Sequence, residues 1–286
     1  MDRLPSWFRQ EIPDRTVLQR AQKLTEFKVR TVCQEARCPN LSACFHNLSF
    51  TFMLLGDTCT RNCRFCAVKK SKGQLEADLD EPYRIQKAVK EFGLNYALIT
   101  SVTRDDLADG GAKIFAQTVE LIRAIKRNIK VEVLIPDFKG NLSSIECLLN
   151  ASPDVAAHNL ETVSRLYQDL RPTADYALSL KVLKKIKELR PELTSKSSLL
   201  LGLGEEESEV KEAMQDLRDS RCDILTLGQY LAPSLAHYPV KEFISLKQFK
   251  RYEDLGLSLG FKAVFSGPKV RSSYRAQELY QEAVYA

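Results

Sequence analysis

Six of the eight cysteines in this 286-residue chain lie between Cys33 and Cys66, and only Cys147 and Cys222 fall elsewhere. Crowding of this kind has few explanations. A disulfide framework staples small secreted domains, whereas this chain is long and its start, MDRLPSWFRQEIPDR, lacks the apolar run of a secretory signal. Ligation of a metal or a cluster is the leading reading. No apolar stretch approaches the roughly 20 residues that span a bilayer, so no membrane is expected. The chain is placed in the cytoplasm, or in an organelle matrix if a transit peptide has been removed. A formal charge of +5, from 42 basic and 37 acidic residues, is too mild to imply nucleic acid and suits an acidic partner equally well.

From Leu48 onwards, apolar runs of strand length recur: LSFTFMLLG, NYALITSV, KVEVLIPD, DVAAHNL, SSLLLGLG, DILTLGQY and FKAVFSG. Amphipathic helical segments separate most of them, at 81–93, 112–128, 177–190 and 208–220. Continuous apolar strands alternating with helices predict an α/β fold whose parallel sheet is covered by helices. About six strands, with one more run as a seventh, fall short of the eight of a full barrel. The expectation is a partial, open parallel β/α barrel with N- and C-terminal extensions. Residues 1–44 are polar and helix-friendly, with Pro5, Pro13 and Pro39 interrupting any long helix and no clear strand. The segments are drawn as 1–46 for the N-terminal extension, 47–266 for the barrel and 267–286 for the C-terminal piece.

Cys59, Cys63 and Cys66 form C-x3-C-x2-C in GDTCTRNCRFCAV, directly after the first strand-like run. In parallel barrels, ligands gather where such loops leave the C-terminal ends of strands. A four-iron cluster normally takes four thiolates. Three leave one iron open to bind and polarise a small molecule, much as catalytic zinc keeps one position free. Structural zinc, the alternative, closes four ligands and favours two C-x2-C-like pairs, and no fourth cysteine or histidine follows at that spacing. His46, His158 and His237 read as ordinary packing or capping residues. Cys33, Cys38 and Cys44 form a second triad, C-x4-C-x5-C in VCQEARCPNLSACF, with intervals that make it no duplicate of the first. It again suggests a cluster short of one protein ligand. Cys147 and Cys222 sit in apolar contexts and read as buried core cysteines.

The C-x3-C-x2-C motif, with aromatic Phe65 before its last cysteine, resembles the radical S-adenosylmethionine superfamily. That resemblance implies a cluster on Cys59, Cys63 and Cys66 whose open iron chelates the amino and carboxylate groups of S-adenosylmethionine, with Phe65 at the cofactor. Cleavage would release a 5′-deoxyadenosyl radical that takes hydrogen from unactivated carbon, in a site that excludes water. The two triads in this order, with EARCPN (35–40), TRDDLADGGA (103–112), VEVLIPDF (131–138), HNLETV (158–163), LLGLGE (200–205), DILTLGQYLAPS (223–234) and GPKVRSSY (267–274), are similar to the blocks of the lipoyl synthase family. SKSSLL, before the GLGE block, drifts from the usual pattern.

Membership there implies a second four-iron cluster on Cys33, Cys38 and Cys44, completed by a serine of Arg271-Ser272-Ser273-Tyr274, with Ser273 the choice. The residues alone read as a solvated tail. An oxygen ligand is held less firmly than a thiolate, which suits a cluster taken apart as the sulfur source. The implied reaction removes hydrogen at C6 and C8 of an octanoyl chain on a carrier-domain lysine, consumes one S-adenosylmethionine each time, and captures sulfur to give the dihydrolipoyl group. Implied partners are octanoylated lipoyl carrier domains (2-oxoacid dehydrogenase acyltransferase subunits and the glycine-cleavage carrier protein), an electron donor such as flavodoxin or ferredoxin, and an iron–sulfur carrier that rebuilds the cluster. Lys269, Arg271 and Arg275 are candidates for docking an acidic carrier, although such a charge run is more often merely solvated.

The same resemblance suggests that Gly202, Gly204, Asn159 and Glu161 border S-adenosylmethionine. By themselves the glycines read equally as a turn, and Asn159 and Glu161 as a helix start. Arg104, Asp105 and Asp106 are expected to pair or to line the cavity. Other radical sulfur-inserting families, such as biotin synthases or methylthiotransferases, fit less well, because here the auxiliary triad precedes the radical motif and R-S-S-Y is present. A zinc-stabilised nucleic-acid module leaves the strand–helix alternation unexplained.

Overall fold

The apolar runs become neighbouring strands because each can be buried on both faces, which is what a parallel sheet under helices requires. The computed structural model describes residues 5, 8, 12–71 and 76–285. Its strands are β1 (Arg30–Thr31), β2 (Thr51–Leu54), β3 (Thr58–Cys59), β4 (Lys69–Lys70), β5 (Tyr96–Ser101), β6 (Lys130–Leu134), β7 (Val155–Ala157), β8 (Thr194–Leu201), β9 (Ile224–Gln229) and β10 (Ala263–Gly267). The main sheet runs β1-β2-β5-β6-β7-β8-β9-β10. All pairs from β2 to β10 are parallel, and β1 alone is antiparallel, pairing Arg30 with Met53 and Thr31 with Phe52. Among the described residues β10 does not pair back to β1 or β2, so the barrel stays open. The last run, FKAVFSG, supplies the seventh parallel strand, and the N-terminal extension, read as strandless, adds the short β1.

The four expected helices form at Glu81–Glu91, Ala112–Ile125, Tyr176–Leu189 and Glu207–Asp219. Leu142–Asn150 and Leu246–Ser258 are helices that the pattern did not single out. The first spans only 9 residues, too few for a clear period, and the second contains Gly256. That glycine admits a close approach, since a Cβ there would lie 2.9 Å from Val264 on β10. Cys222 is fully buried as expected, whereas Cys147 is only half-buried, because it lies on the side of Leu142–Asn150 that is incompletely covered. Inside the barrel, fully buried Lys196 on β8 pairs with Glu132 on β6 at 2.8 Å, and Tyr96 donates to the same carboxylate at 2.5 Å. Charges so deep persist only when paired and hydrogen-bonded.

Candidate active site

The first cysteine triad sits on the loop that leaves β2, and the loop is held before any iron binds. Glu81, the first residue of its helix, accepts from the N–H groups of Leu55 at 2.6 Å and Gly56 at 2.9 Å. Burial raises the Glu81 pKa, and these two donors oppose that rise. β3 and β4 pair in parallel to close the base of the loop. Thr60 bonds Thr103 beyond β5, with its N–H and its hydroxyl both 3.0 Å from the carbonyl. Further along, Arg64 N–H donates to Leu170 beyond β7, and Tyr238 beyond β9 donates to the Arg64 carbonyl. Loops after three different strands thus tie down one short segment.

Arg61, between Cys59 and Cys63, makes the strongest of these ties. Its guanidinium is 6% exposed and grips Asp105 at 2.7 and 2.9 Å and Asp137 at 2.6 and 2.7 Å. Burial pushes the Asp137 pKa up, but Arg61 outweighs it, so the carboxyl falls below its usual range. Two forked carboxylates on one guanidinium fix the loop's orientation as well as its position. Arg61→Ala leaves Asp137 buried without this cation and is expected to cost about 3–5 kcal/mol in denaturant unfolding of the iron-free protein. A cost below about 1 kcal/mol, the worth of an exposed pair, would show that the clamp does not hold the loop. Beside it, Arg104 and Asp106 pair at 2.7 Å, and residues 103–108 line a cavity of about 350 Å³ with Pro136, Phe138 and Lys139, so this segment both pairs and lines a cavity.

Within each triad the thiols are close enough to influence one another's ionisation. Burial raises the pKa of Cys63, and pushes Cys66 up to about 11, Cys33 to about 11 and Cys44 to about 12; neighbouring cysteines add to each rise. Arg171 and Glu161 both face Cys63. Phe65 is half-buried against the apolar cluster under β8 and β9. Among the described residues no three His, Cys, Asp or Glu side chains converge on one ion position. A structural zinc needs that convergence, whereas a four-iron cluster takes each thiolate on a different iron. Two sets of three soft thiols, Cys33 buried and the other five partly so, fit two such clusters.

The C-terminal segment is docked rather than solvated. Asn40, between Cys38 and Cys44, donates to the Lys269 carbonyl at 2.6 Å. A Cβ at Gly228 would lie 2.0 Å from the Val270 carbonyl, so the segment rests directly on the β9 backbone. Arg271 turns inward, where burial lowers its pKa and Cys38 and Glu161 oppose the fall. It is half-buried and donates to the Val270 carbonyl at 2.6 Å, whereas Arg275 is exposed and paired with Glu278. Ser272 donates to Asn159 Oδ1 at 2.8 Å. No described hydrogen bond engages the Ser273 hydroxyl, which borders a cavity shared with Asn47 and Leu48, just beyond the helix of Cys44.

Asn159 and Glu161 do not start a helix. Glu161 bridges to Leu199 on β8, and Asn159 Nδ2 donates to Glu161 Oε1 at 3.0 Å. Gly202 is required for packing, since a Cβ would lie 2.3 Å from both Gln229 Nε2 and the Glu242 carbonyl, and its φ is +90°. Its N–H, like that of Leu203, is held by the Glu205 carboxylate. Gly204 is also left-handed, at φ +102°.

His158 is packed in the interior. Its Nδ1 lies 2.9 Å from the Ile135 carbonyl, which places the proton there, and buried Nε2 has no partner among the described residues. Burial lowers its pKa from 6.5 to about 4, Arg171 and Arg61 add to the fall, and the Ile135 carbonyl and Asp137 oppose it. A depressed folded-state pKa means that this contribution is complete above pH 6.5 and lost as pH falls toward 4. About 3 kcal/mol should disappear across that window. His158→Gln should flatten the urea-unfolding profile there; an unchanged profile would mean that His158 is not buried neutral.

A family model described as the radical SAM superfamily matches residues 53–217. The chain is 50% identical over 274 residues to the lipoyl synthase of Caldanaerobacter subterraneus subsp. tengcongensis, covering 96% of each chain. It is 48% identical over 281 residues to that of Thermus thermophilus, covering 98% of this chain and 87% of the relative. Among solved structures, Streptococcus suis SuiB bound to S-adenosylmethionine superposes with a TM-score of 0.59 at 13% identity, covering 91% of this chain and 56% of the other. Methylornithine synthase (PylB) gives 0.55 at 14%, covering 77% and 72%; at such identities the likeness concerns the fold alone. Near-half identity along almost the whole length, added to a superfamily match over the barrel, means that this chain belongs to the lipoyl synthase family of radical SAM enzymes.

Proposed function

We propose that this chain inserts sulfur at C6 and C8 of an octanoyl-lysine on a lipoyl carrier domain, acting in the cytoplasm. The observation that carries the reading is a chain of contacts from one triad to the residues read as cofactor contacts: Asn40, between Cys38 and Cys44, bonds Lys269, and Ser272 of the same segment bonds Asn159. When bound, S-adenosylmethionine with a cluster on Cys59, Cys63 and Cys66 supplies hydrogen abstraction, and a cluster on Cys33, Cys38, Cys44 and Ser273 supplies sulfur. The protein's own part is positional. Arg61, Thr60 and Glu81 hold the first loop still, Phe65 shields it, and the left-handed turn at Gly202 and Gly204 lets the backbone beyond β8 border the cofactor. Asn159 and Glu161 offer polar groups to that cofactor, while Arg171 and Arg271 balance the Glu161 charge in a site largely closed to water. The N-terminal extension, 1–46, and the C-terminal piece, 267–286, bring the second triad and Ser273 to the barrel, 47–266.

The carriers are the 2-oxoacid dehydrogenase acyltransferase subunits and the glycine-cleavage carrier protein, with flavodoxin or ferredoxin as reductant and an iron–sulfur carrier to rebuild the consumed cluster. No described helix is long and apolar enough to cross a membrane. Anaerobic incubation of the reconstituted protein with an octanoyl-lysine peptide, S-adenosylmethionine and dithionite should yield a product heavier by two sulfur atoms in mass spectrometry. A methylthiolated product, or none, would exclude the reading. Ser273→Ala should lower both sulfur insertion and bound iron while 5′-deoxyadenosine still forms, because one ligand is lost and the three thiolates remain. Full thiolation by this variant would remove Ser273 from the ligand set.

A further inference from the structure

The two serines of R-S-S-Y are in different situations. Ser273 has a hydroxyl that no described hydrogen bond engages, on a cavity shared with Asn47 and Leu48, whereas Ser272 is committed to a residue 113 positions away: its hydroxyl donates to Asn159 Oδ1 at 2.8 Å. Asn159 then donates from Nδ2 to Glu161 Oε1 at 3.0 Å. The order of donors matters. With Oδ1 taken by Ser272, the amide keeps its N–H₂ turned toward the carboxylate; without that hydroxyl, only the bond to Glu161 Oε1 holds its orientation.

Glu161 is held at some cost. Its φ of 71° lies in the left-handed region that side chains avoid. Its N–H donates to Ser198 at 2.9 Å and its carbonyl accepts from Leu200 at 2.8 Å, so β8 pins the strained peptide from both sides. Arg171 adds bonds to the carbonyls of Asn159 and Leu160, each at 3.2 Å. Strain that is so fully braced marks a side chain whose direction matters. None of the described hydrogen bonds uses Glu161 Oε2, which leaves that oxygen to accept from a ligand.

We propose that Ser272 is a positioning residue for S-adenosylmethionine: through Asn159 it aims the Glu161 carboxylate at the hydroxyl or ammonium donors of the cofactor, so the cofactor site is complete only when the C-terminal segment is docked. This rests on the reading of Asn159 and Glu161 as cofactor contacts. The docked segment is also tied to the second triad through Asn40 and Lys269. Cofactor binding and the seating of Ser273 are therefore linked, and by reciprocity each favours the other.

The test uses the holoenzyme reconstituted with iron and sulfide, with S-adenosylmethionine affinity measured by equilibrium dialysis and by the change in the reduced cluster's electron paramagnetic resonance signal. Ser272→Ala should bind the cofactor about tenfold more weakly, the scale of one lost hydrogen bond, with iron content unchanged. Ser272→Thr keeps the hydroxyl and should stay within about twofold of wild type, and its behaviour separates a lost donor from a misfolded tail. In a double-mutant cycle with Asn159→Ala the losses should not add; additive losses would show that Ser272 does not act through Asn159. Wild-type affinity in Ser272→Ala, or loss of iron with affinity intact, overturns the proposal. If Asn159→Ala and Glu161→Gln also bind the cofactor normally, the contact reading beneath it fails instead.

Discussion

Replacing Cys59, Cys63 and Cys66 together by alanine is expected to abolish S-adenosylmethionine cleavage and to lower bound iron from about eight to about four per chain. The protein should remain folded, because the loop is held by Glu81, Thr60, Arg61 and Arg64 rather than by its thiols. Burial disfavours the charged thiolate at Cys63 and Cys66, so replacing them removes no stabilising charge from the iron-free protein. Iron analysis and chromatography of 5′-deoxyadenosine read the two outcomes. Continued 5′-deoxyadenosine formation would sink the assignment of this triad.

Replacing Cys33, Cys38 and Cys44 should fail differently. Sulfur insertion is expected to fall below detection while reductive cleavage of S-adenosylmethionine continues, with iron again near about four per chain. The N-terminal extension retains its β1–β2 pairing and the Asn40–Lys269 bond, so its backbone has reasons to stay in place. Mass spectrometry of the octanoyl peptide decides. Thiolated product from this variant would refute the second triad as the sulfur source, and loss of cleavage in a folded variant would refute the division of labour.

Much of the fold was legible because its signals are local. Strand-length apolar runs and helical periodicity depend only on neighbours in the chain, and all seven runs reappear in order as the parallel strands. The less visible elements had weak local signals: the 9-residue Leu142–Asn150, the glycine-containing Leu246–Ser258, and the two residues of β1. The candidate site divides in the same way. Asn159 and Glu161 were picked out by family resemblance, but their bond to each other and to Ser272 was not visible. The half-buried setting of Arg271, against the Val270 carbonyl, was not visible either, because a basic residue in a polar motif carries no sign of which way the backbone turns it.

The sequence by itself determined the two cysteine triads, their order and the barrel beneath them, because ligand spacing and amphipathic period are written within a few residues. Only the tertiary structure decided which charges meet. Arg61 finds its carboxylates 44 and 76 residues away, on loops after β5 and β6. Ser272 reaches Asn159 across 113 residues, and His158 is stripped of solvent by elements distant in the chain. Ion pairing and desolvation depend on what surrounds a group in space, and that surrounding exists only once the strands have been brought side by side.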